Sequence, residues 1–371
     1  RGLRESERTS PRWLELDSLH GPPIMRSPSL NDLPPPPPDR KGWPWTEETP
    51  ALPDLMANGN PWPRFSVVTP SYNQGRFLEE TIRSVLLQGY PDLEYVVIDG
   101  GSTDNSVEII RKYEAWLAHW VSEKDRGQSH AVNKGLARAT GQVIGWLNSD
   151  DVYRPGVFRA IAKTVVCQTA PMVVFGTCDL VNESGGLLQH LPTHFHGHEA
   201  LIHLFAPPLK GSHGLPQPGV FFLREMVKHV GGLDEGLPYA MDFDLWIRLS
   251  REYLFQRIDG VLANCRLHEA SKSGSSQMQM LDEYIAVCRR YAGPERGLRA
   301  LQTWAGQRLA VSRIAADSQP LLSVSGFIQA CCWPPSVIDK RSLYILSALV
   351  PGGRALVNNF RHGRSHGGQL D

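Results

Sequence analysis

The chain has 371 residues, 41% of them hydrophobic and 20% charged, with no formal net charge. This is the balance of a soluble globular protein, long enough for one large α/β domain with flanking segments. A charge of zero gives no global attraction for nucleic acid, so none is expected as a partner. The six cysteines (Cys167, Cys178, Cys265, Cys288, Cys331 and Cys332) contain no C-x-x-C pair and read as reduced thiols of a cytosolic protein. No run reaches about 18 apolar residues, so no transmembrane helix is expected. The first ten residues lack the apolar core of a signal peptide. The chain opens on Arg1 rather than Met, which leaves room for residues ahead of it.

In chain order, residues 1–60 are rich in Pro, Ser and charge, with five prolines from Pro34 to Pro38. They predict a partly disordered leader with a polyproline II run, although the tryptophans of "GWPWTEE" (Gly42–Glu48) could dock on a domain. From Phe65 the pattern changes. "FSVVTP", "LEYVVIDG" and "GQVIGWLN" are short β-branched runs bounded by turn residues, as strands are. Helical stretches lie between them, and "RFLEETIRSVLLQ" puts Phe77, Leu78, Ile82, Val85 and Leu86 on one face. "NSVEIIRKYEAWL" and "QSHAVNKGLARA" continue the alternation. Strand–helix–strand repetition implies right-handed crossovers and a Rossmann-like, mostly parallel sheet flanked by helices. Further on, "MVVFGTCDLVNESGGLLQHLP" reads as two strands joined by a turn at Ser184–Gly186. "QPGVFFLREMV" reads as a strand entering a helix, "MDFDLWIRLSREY" as a helix, and "FQRIDGVLANCRLH" as a last strand. A domain over residues 61–275 and a mainly helical extension over 276–371 follow.

In such a sheet ligands bind beyond the carboxyl ends of the strands. Three polar clusters lie there: Thr69–Asn73, Asp99–Asp104 and Asn148–Asp151. "VVIDGGSTDNS" leads a strand through a Gly-rich turn into a helix but lacks both G-x-G-x-x-G and G-K-[ST]. It reads either as a helix cap by Ser102, Thr103 or Asp104, or as a ligand-binding turn in which Asp99 meets a base or ribose hydroxyl. "NSDD" places two adjacent carboxylates at the tip of a buried strand, where a hard divalent cation would account for them. Its structural alternative is a cap for the helix that Pro155 would open. In "MDFDLWIRL" Asp242 and Asp244 stand about 200° apart on a helix. One can therefore face a cleft as a general base while the other pairs with Arg248 at i+4. His268 follows the last strand. His190, His194, His196, His198, His203 and His213 crowd a Pro/Gly-rich loop without the H-E-x-x-H spacing of a zinc site.

Together, "FSVVTPSYNQGRFLEETIRSVLLQGYPDLEYVVIDGGSTDNS", "DRGQSHAVNKGLARATGQVIGWLNSDD", "GGLDEGLPYAMDFDLWIRL" and "RLHEASKS" resemble a family 2 glycosyltransferase of the GT-A fold, from about Arg64 to Ser273. The resemblance implies an inverting transfer of sugar from a nucleotide diphosphate sugar to a glycan or lipid-linked acceptor, with Mg²⁺ or Mn²⁺. It implies that Thr69, Pro70 and Tyr72 line the nucleotide pocket, that Asp99 contacts base or ribose, and that Asp125, Gly127 and Asn133 close over the nucleoside. It makes Asp150 the contact for metal and diphosphate with Asn148 and Asp151 beside it, His268 a second approach to the metal, and Asp242 the catalytic base. Two positions depart from the family's pattern. Asn148 stands where a first Asp is common, and Met241 where a Glu usually precedes the base. These departures keep open a sugar-nucleotide-binding module without turnover. A nicotinamide-dependent oxidoreductase fits less well, since "TPSYNQG" is not its Gly-rich fingerprint.

From residue 286 onward eleven Lys/Arg face four acids, and the apolar runs "SGFIQACCW" and "SLYILSALV" are too short to span a bilayer. This composition is compatible with a cytoplasmic protein that touches the inner face of a membrane, or with a helical extension packed on the domain.

Overall fold

In the computed structural model the described residues are 25–168, 170–191, 193, 195–202, 214–272 and 277–292. His194, His203, His213, Cys331, Cys332, both short apolar runs and the basic segment beyond residue 292 lie outside them. Of the described residues, 25–201 and 214–283 form one compact unit, and Ile202 with 284–292 belongs to a second. The sheet and the candidate site lie in the first. No helix among the described residues is long and apolar enough to cross a membrane.

The strands are β1 (Phe65–Ser71), β2 (Leu93–Asp99), β3 (His119–Ser122), β4 (Val143–Trp146), β5 (Val152–Tyr153), β6 (Met172–Val181), β7 (Leu187–Leu191), β8 (Val220–Leu223) and β9 (Leu254–Arg266). The helices are α1 (Gly75–Leu86), α2 (Ser106–Tyr113), α3 (Gln128–Arg138), α4 (Val157–Val166), α5 (His198–Ile202), α6 (Arg224–Val230), α7 (Met241–Glu252) and α8 (Gln277–Ala292). One nine-stranded sheet runs β3-β2-β1-β4-β8-β6-β9-β5, with β7 added to β6. The parallel pairing expected of most of the sheet holds across β3-β2-β1-β4 and again for β6 with β9. β8 is antiparallel to both β4 and β6, and β5 and β7 also pair antiparallel, so the second half is mixed. The reason is local. β8 leads directly into α6, and β6 returns through a hairpin at Asn182–Gly186, where Asn182 Oδ1 accepts the N–H groups of Ser184 and Gly186.

β1 and β2 are buried along their whole length, which is why they read as continuous apolar runs. On one side Val68, Val96, Ile98 and Ala131 of α3 form a cluster. Phe65, Tyr90, Phe158, Tyr153 and Phe221 make a run of stacked and edge-on rings elsewhere in the core. α1 buries Phe77, Leu78, Ile82, Val85 and Leu86, as its spacing predicts. Each contributes about 1.5–3 kcal/mol against exposure.

α1 also buries Arg83, which no periodicity argument singles out. Its guanidinium is fully enclosed. Its Nε donates to the Pro44 carbonyl (3.0 Å), Nη2 to the Trp45 carbonyl (3.0 Å), and Nη1 to the Pro34 carbonyl (2.9 Å) and the Tyr113 hydroxyl (3.1 Å). It lies 5.6 Å from the Trp45 ring centroid. The leader, expected to be partly disordered, is therefore a strap from residue 25 onward, and residues 1–24 lie outside the described region. Backbone bonds from Ser27 to Tyr90, Thr49 to Leu87, Leu52 to Gly89 and Leu93 to Met25 run along it, and Trp43 Nε1 donates to the Tyr153 carbonyl at 2.8 Å. The composition missed this because the anchoring groups are backbone carbonyls, which carry no residue signature.

Replacing Arg83 by Met should strand three buried carbonyls and cost about 3 kcal/mol. Urea unfolding monitored by tryptophan fluorescence checks this, and limited proteolysis should gain a cut between residues 34 and 45.

Candidate active site

The ends of β1 and β2 are bolted together before they offer anything to a ligand. Asn73, at φ +52°, donates its N–H to Ser102 Oγ (2.8 Å), and its Oδ1 accepts the Thr103 N–H (2.8 Å). Asp104 accepts the N–H groups of Ser106 (3.0 Å) and Gly75 (2.9 Å), so it serves the starts of both α2 and α1. The N-cap residue of α2 is Asn105, without a side-chain cap bond; Asp104, just before it, accepts the Ser106 N–H, while Ser102 serves the β1 turn.

Asp99 is fully buried. Its carboxylate accepts from Gly101 N–H (3.1 Å), Ser102 N–H (2.9 Å), Ser102 Oγ (2.5 Å) and Ser122 Oγ (2.7 Å). Three of these donors meet Oδ2 and one meets Oδ1, so Asp99 braces this turn while one lone pair of Oδ1 has no donor from these bonds. Thr69 is likewise internal: its hydroxyl accepts from Tyr95 at 3.1 Å, and Pro70 is buried beside it. Tyr72, by contrast, is 61% exposed, an aromatic face at the mouth of the β1 end.

Asp125 belongs to the same mouth. Its Oδ1 accepts the Gly127 N–H at 2.8 Å. A Cβ on Gly100 would stand 2.6 Å from Asp125 Oδ2, so glycine there leaves room for the carboxylate above the β2 turn. Gly127 takes φ +116° ahead of α3, a conformation suited to glycine. Asn133 does not join this group. Its Oδ1 accepts the Leu233 N–H (2.8 Å), and its Nδ2 donates to the Leu233 carbonyl (2.9 Å) and Glu235 Oε1 (3.2 Å). Asn133 thus clamps the segment leading into α7, aided by Arg126 and Glu235 at 2.6 Å.

At the end of β4 the two adjacent carboxylates turn opposite ways. Asp150 Oδ2 meets His268 Nε2 at 3.0 Å, and the imidazole packs 4.8 Å from the Phe77 ring centroid. Asp151 is buried; its Oδ1 accepts the Arg266 N–H (2.9 Å) and its Oδ2 lies 3.4 Å from Asn148 Nδ2. Burial, then the neighbouring Asp150 charge, pushes its acid constant well above the usual carboxylate range. Asp151 is thus bonded inside the fold, and neither aspartate caps α4, which starts from Gly156 instead.

Asn148 is also spoken for. Its Oδ1 accepts from Gln128 Nε2 (2.7 Å) and Trp146 Nε1 (2.9 Å), and its Nδ2 donates to Gln217 Oε1 (3.0 Å). Both lone pairs of the amide oxygen are used, and Asn148 forms a bracket joining α3, β4 and the segment before β8.

Asp242 stands at the start of α7, where Oδ1 accepts the Phe243 N–H at 2.7 Å. Burial raises its pKa to about 6, against that bond and the Lys272 ammonium. Asp244 is turned away to Arg248 at 2.8 Å, the division of labour that helical spacing predicts. The segment 267–272 serves both Asp150 and Asp242: His268 touches Asp150, and Lys272 acts on Asp242.

Sequence reasoning missed Gln128, Gln217, Arg266 and Lys272. Arg266 alone had a signal, standing two residues before His268 at a strand end. It reaches Glu80 at 3.1 Å, the Glu183 carbonyl at 2.7 Å, the Asp150 carbonyl at 3.0 Å and the Phe77 ring at 5.1 Å. A cavity of about 770 Å³ opens beside His268, with Arg76, Glu183 and the strap's Arg40 on its wall. Among the described residues no group of three or more His, Cys, Asp or Glu is placed to hold a metal by itself. Of the histidine cluster, His190 pairs with Asp179 and His198 with Ser250.

The family model for glycosyl transferase family 2 matches residues 66–230. An uncharacterized glycosyltransferase of Mycobacterium tuberculosis is 30% identical over 192 residues, 50% of this chain and 68% of that protein. The chain belongs to glycosyl transferase family 2. An uncharacterized glycosyltransferase of Rickettsia typhi is 29% identical over 232 residues, 61% of this chain and 70% of its own length. One from Rickettsia conorii, 27% identical over 229 residues, is covered over only 37% of its length. TuaG of Bacillus subtilis, whose name assigns it to teichuronic acid biosynthesis, is 40% identical over 95 residues, 25% of this chain and 38% of its own. Among solved structures, residues 1–349 of S. aureus TarS with UDP-GlcNAc superpose with a TM-score of 0.51 at 17% identity, covering 83% of this chain and 94% of that one. The fold of this glycosyltransferase is thus GT-A. The matched family span ends at Val230, ahead of Asp242 and His268.

Removing the side chain at Asn148 should take away its bonds to Gln128 Nε2, Gln217 Oε1 and Trp146 Nε1. Asn148→Ala should therefore lose about 2 kcal/mol in chemical denaturation.

Proposed function

We propose that this glycosyltransferase moves a sugar, with inversion, from a nucleotide diphosphate sugar to an acceptor hydroxyl in the assembly of a polysaccharide or cell-surface glycan. The supporting observation is that one segment, 267–272, links the Asp150–His268 pair to Asp242. Glycosyl transfer needs two things at once: charge stabilisation for a departing diphosphate and a base for the incoming hydroxyl. The two carboxyl environments divide along those lines.

A divalent cation suits the first. Asp150 and His268 offer one carboxylate and one imidazole on adjacent atoms, a hard and a borderline donor, and too few to hold an ion without oxygens from a substrate. Mg²⁺ or Mn²⁺ would thus be held by Asp150, His268 and the donor's phosphates. When bound, such an ion offsets charge on the leaving diphosphate. Asn148 and Asp151, being internally bonded, hold Asp150 in place without adding ligands.

Asp242 takes the proton from the acceptor hydroxyl. Its raised pKa of about 6 makes it a stronger base than an ordinary aspartate while leaving it mostly charged at neutral pH. Met241 beside it is buried and apolar, so no second carboxylate at that position competes for the proton. Tyr72 and Asp125 frame the nucleoside end. UDP-GlcNAc, held by the TarS structure, is the first donor to test, and the polysaccharide role named for TuaG the first acceptor class. The basic composition beyond residue 286 favours an acceptor at the inner face of a membrane.

Asp242→Asn should keep donor affinity and lose about 10²–10⁴-fold in rate. In the wild type kcat/KM should fall as pH drops through about 6, because protonation removes the base. Turnover near wild type in the variant, measured as nucleoside diphosphate release, would remove Asp242 from this role. Separately, Asp150→Ala should lose the rise in melting temperature given by UDP-GlcNAc with Mn²⁺. If it keeps that rise, Asp150 does not bind the metal–donor complex. Donor binding with neither transfer nor hydrolysis would favour the binding-module reading.

A further inference from the structure

The turn Pro238–Ala240, from which α7 departs, is gripped from two sides. Lys272 Nζ donates to the Pro238 carbonyl at 2.6 Å and sits 5.8 Å from the Tyr239 ring centroid. Glu283, in the first part of α8, accepts the N–H groups of Tyr239 (2.8 Å) and Ala240 (3.0 Å) through one oxygen, Oε2. Ala240 flanks the helix and has no side-chain acceptor with which to brace the turn itself. A residue 43 positions away does that work.

The three ionisable groups here form a chain of alternating sign. Among the described residues Lys272 is the one charged side chain that acts on Asp242. Burial pulls Lys272 toward its neutral form, while Asp242 and Glu283 pull it back. On α7 itself Asp244 is committed to Arg248.

We propose that Lys272 and Glu283 are positioning residues for Asp242: they clamp the turn that aims it, and Lys272 supplies the cation that keeps its carboxyl charged. The proposal rests on the reading of Asp242 as the base, and it extends the working site to α8, beyond the matched family span. Neither residue touches the reacting atoms. Glu283 fixes where the carboxyl stands, and Lys272 offsets the cost of holding a buried anion there. The alternating order also accounts for Glu283 being acidic, since a neutral acceptor would hold the two amides but leave Lys272 with only one anionic neighbour.

Two readouts test this without relying on turnover. The full chain, labelled with ¹³C at its aspartate carboxyls, is titrated, with the Asp242 signal assigned by its loss in Asp242→Asn. The wild-type midpoint should lie at about 6. Lys272→Met should raise it by about one pH unit and Lys272→Arg should restore it. An unchanged midpoint in Lys272→Met overturns the electrostatic role. Amide hydrogen exchange tests the clamp. Glu283→Ala should speed exchange at Tyr239 and Ala240 about tenfold or more, and Glu283→Gln, which keeps an acceptor oxygen, should not. Equal exchange in the wild type and Glu283→Ala overturns the clamp. Failure of the base reading shows elsewhere, as retained turnover in Asp242→Asn.

Discussion

Two adjacent carboxyl groups at the buried end of a strand repel each other, and the region around β4 is organised by how that repulsion is resolved. Asp151 turns inward and is held by the Arg266 N–H, with the amide of Asn148 beside it; burial and its neighbour favour its protonated form. Asp150 turns the other way, to His268. The solution is asymmetric, and the asymmetry leaves one carboxylate available for chemistry. An aspartate at position 148 would add a third negative group beside Asp151. The amide there donates to Gln217 and toward Asp151 while accepting from Gln128 and Trp146, so the departure from the family's pattern is compensated within the fold.

The strap connects to this arrangement through α1. A buried guanidinium is costly unless its donors are satisfied. Arg83 meets that demand with strap carbonyls and the Tyr113 hydroxyl. α1 is thereby fixed along its length, and its first turn carries Phe77, the ring behind His268. Thr81 on the same helix donates to the Asp151 carbonyl at 2.8 Å. A segment that composition marks as a loose leader thus helps to hold the Asp150–His268 pair, at one remove.

What was legible in the sequence was position along the chain. The β-branched runs, the α1 stripe, the turn at Ser184–Gly186 and the pairing of Asp244 with Arg248 all rest on local periodicity, and all stand as read. β3 and β5 went unread because they are short, at four and two residues, with too little alternation to register. What could not be read was the direction of polar side chains. Asp99 ends β2, Asn148 follows β4 and Asn133 lies within α3, and each bonds partners in the fold. Some are near in sequence, such as Ser102, and others far, such as Leu233, one hundred residues from Asn133. Residue type and spacing do not encode such long-range bonds. Lys272 and Glu283 were invisible for the same reason, since both act on a turn more than thirty residues before them.

Counting donors offers a way to separate structural from reactive carboxyls in this fold. Asp99 accepts four hydrogen bonds, three at Oδ2 and one at Oδ1. Asp104 accepts two backbone N–H groups, and Glu94 binds Ser66 and Thr140 in the interior. Each is held by two or more donors from within the fold. Asp242 has one backbone donor at Oδ1, from Phe243, and a cation nearby. Burial without saturation is what raises a carboxyl's affinity for a proton, whereas burial with saturation lowers it or holds it in place. Burial favours the protonated form of both Asp151 and Asp242; Asp151 is bonded to the Arg266 N–H inside the fold, and Asp242 is the one proposed as the base.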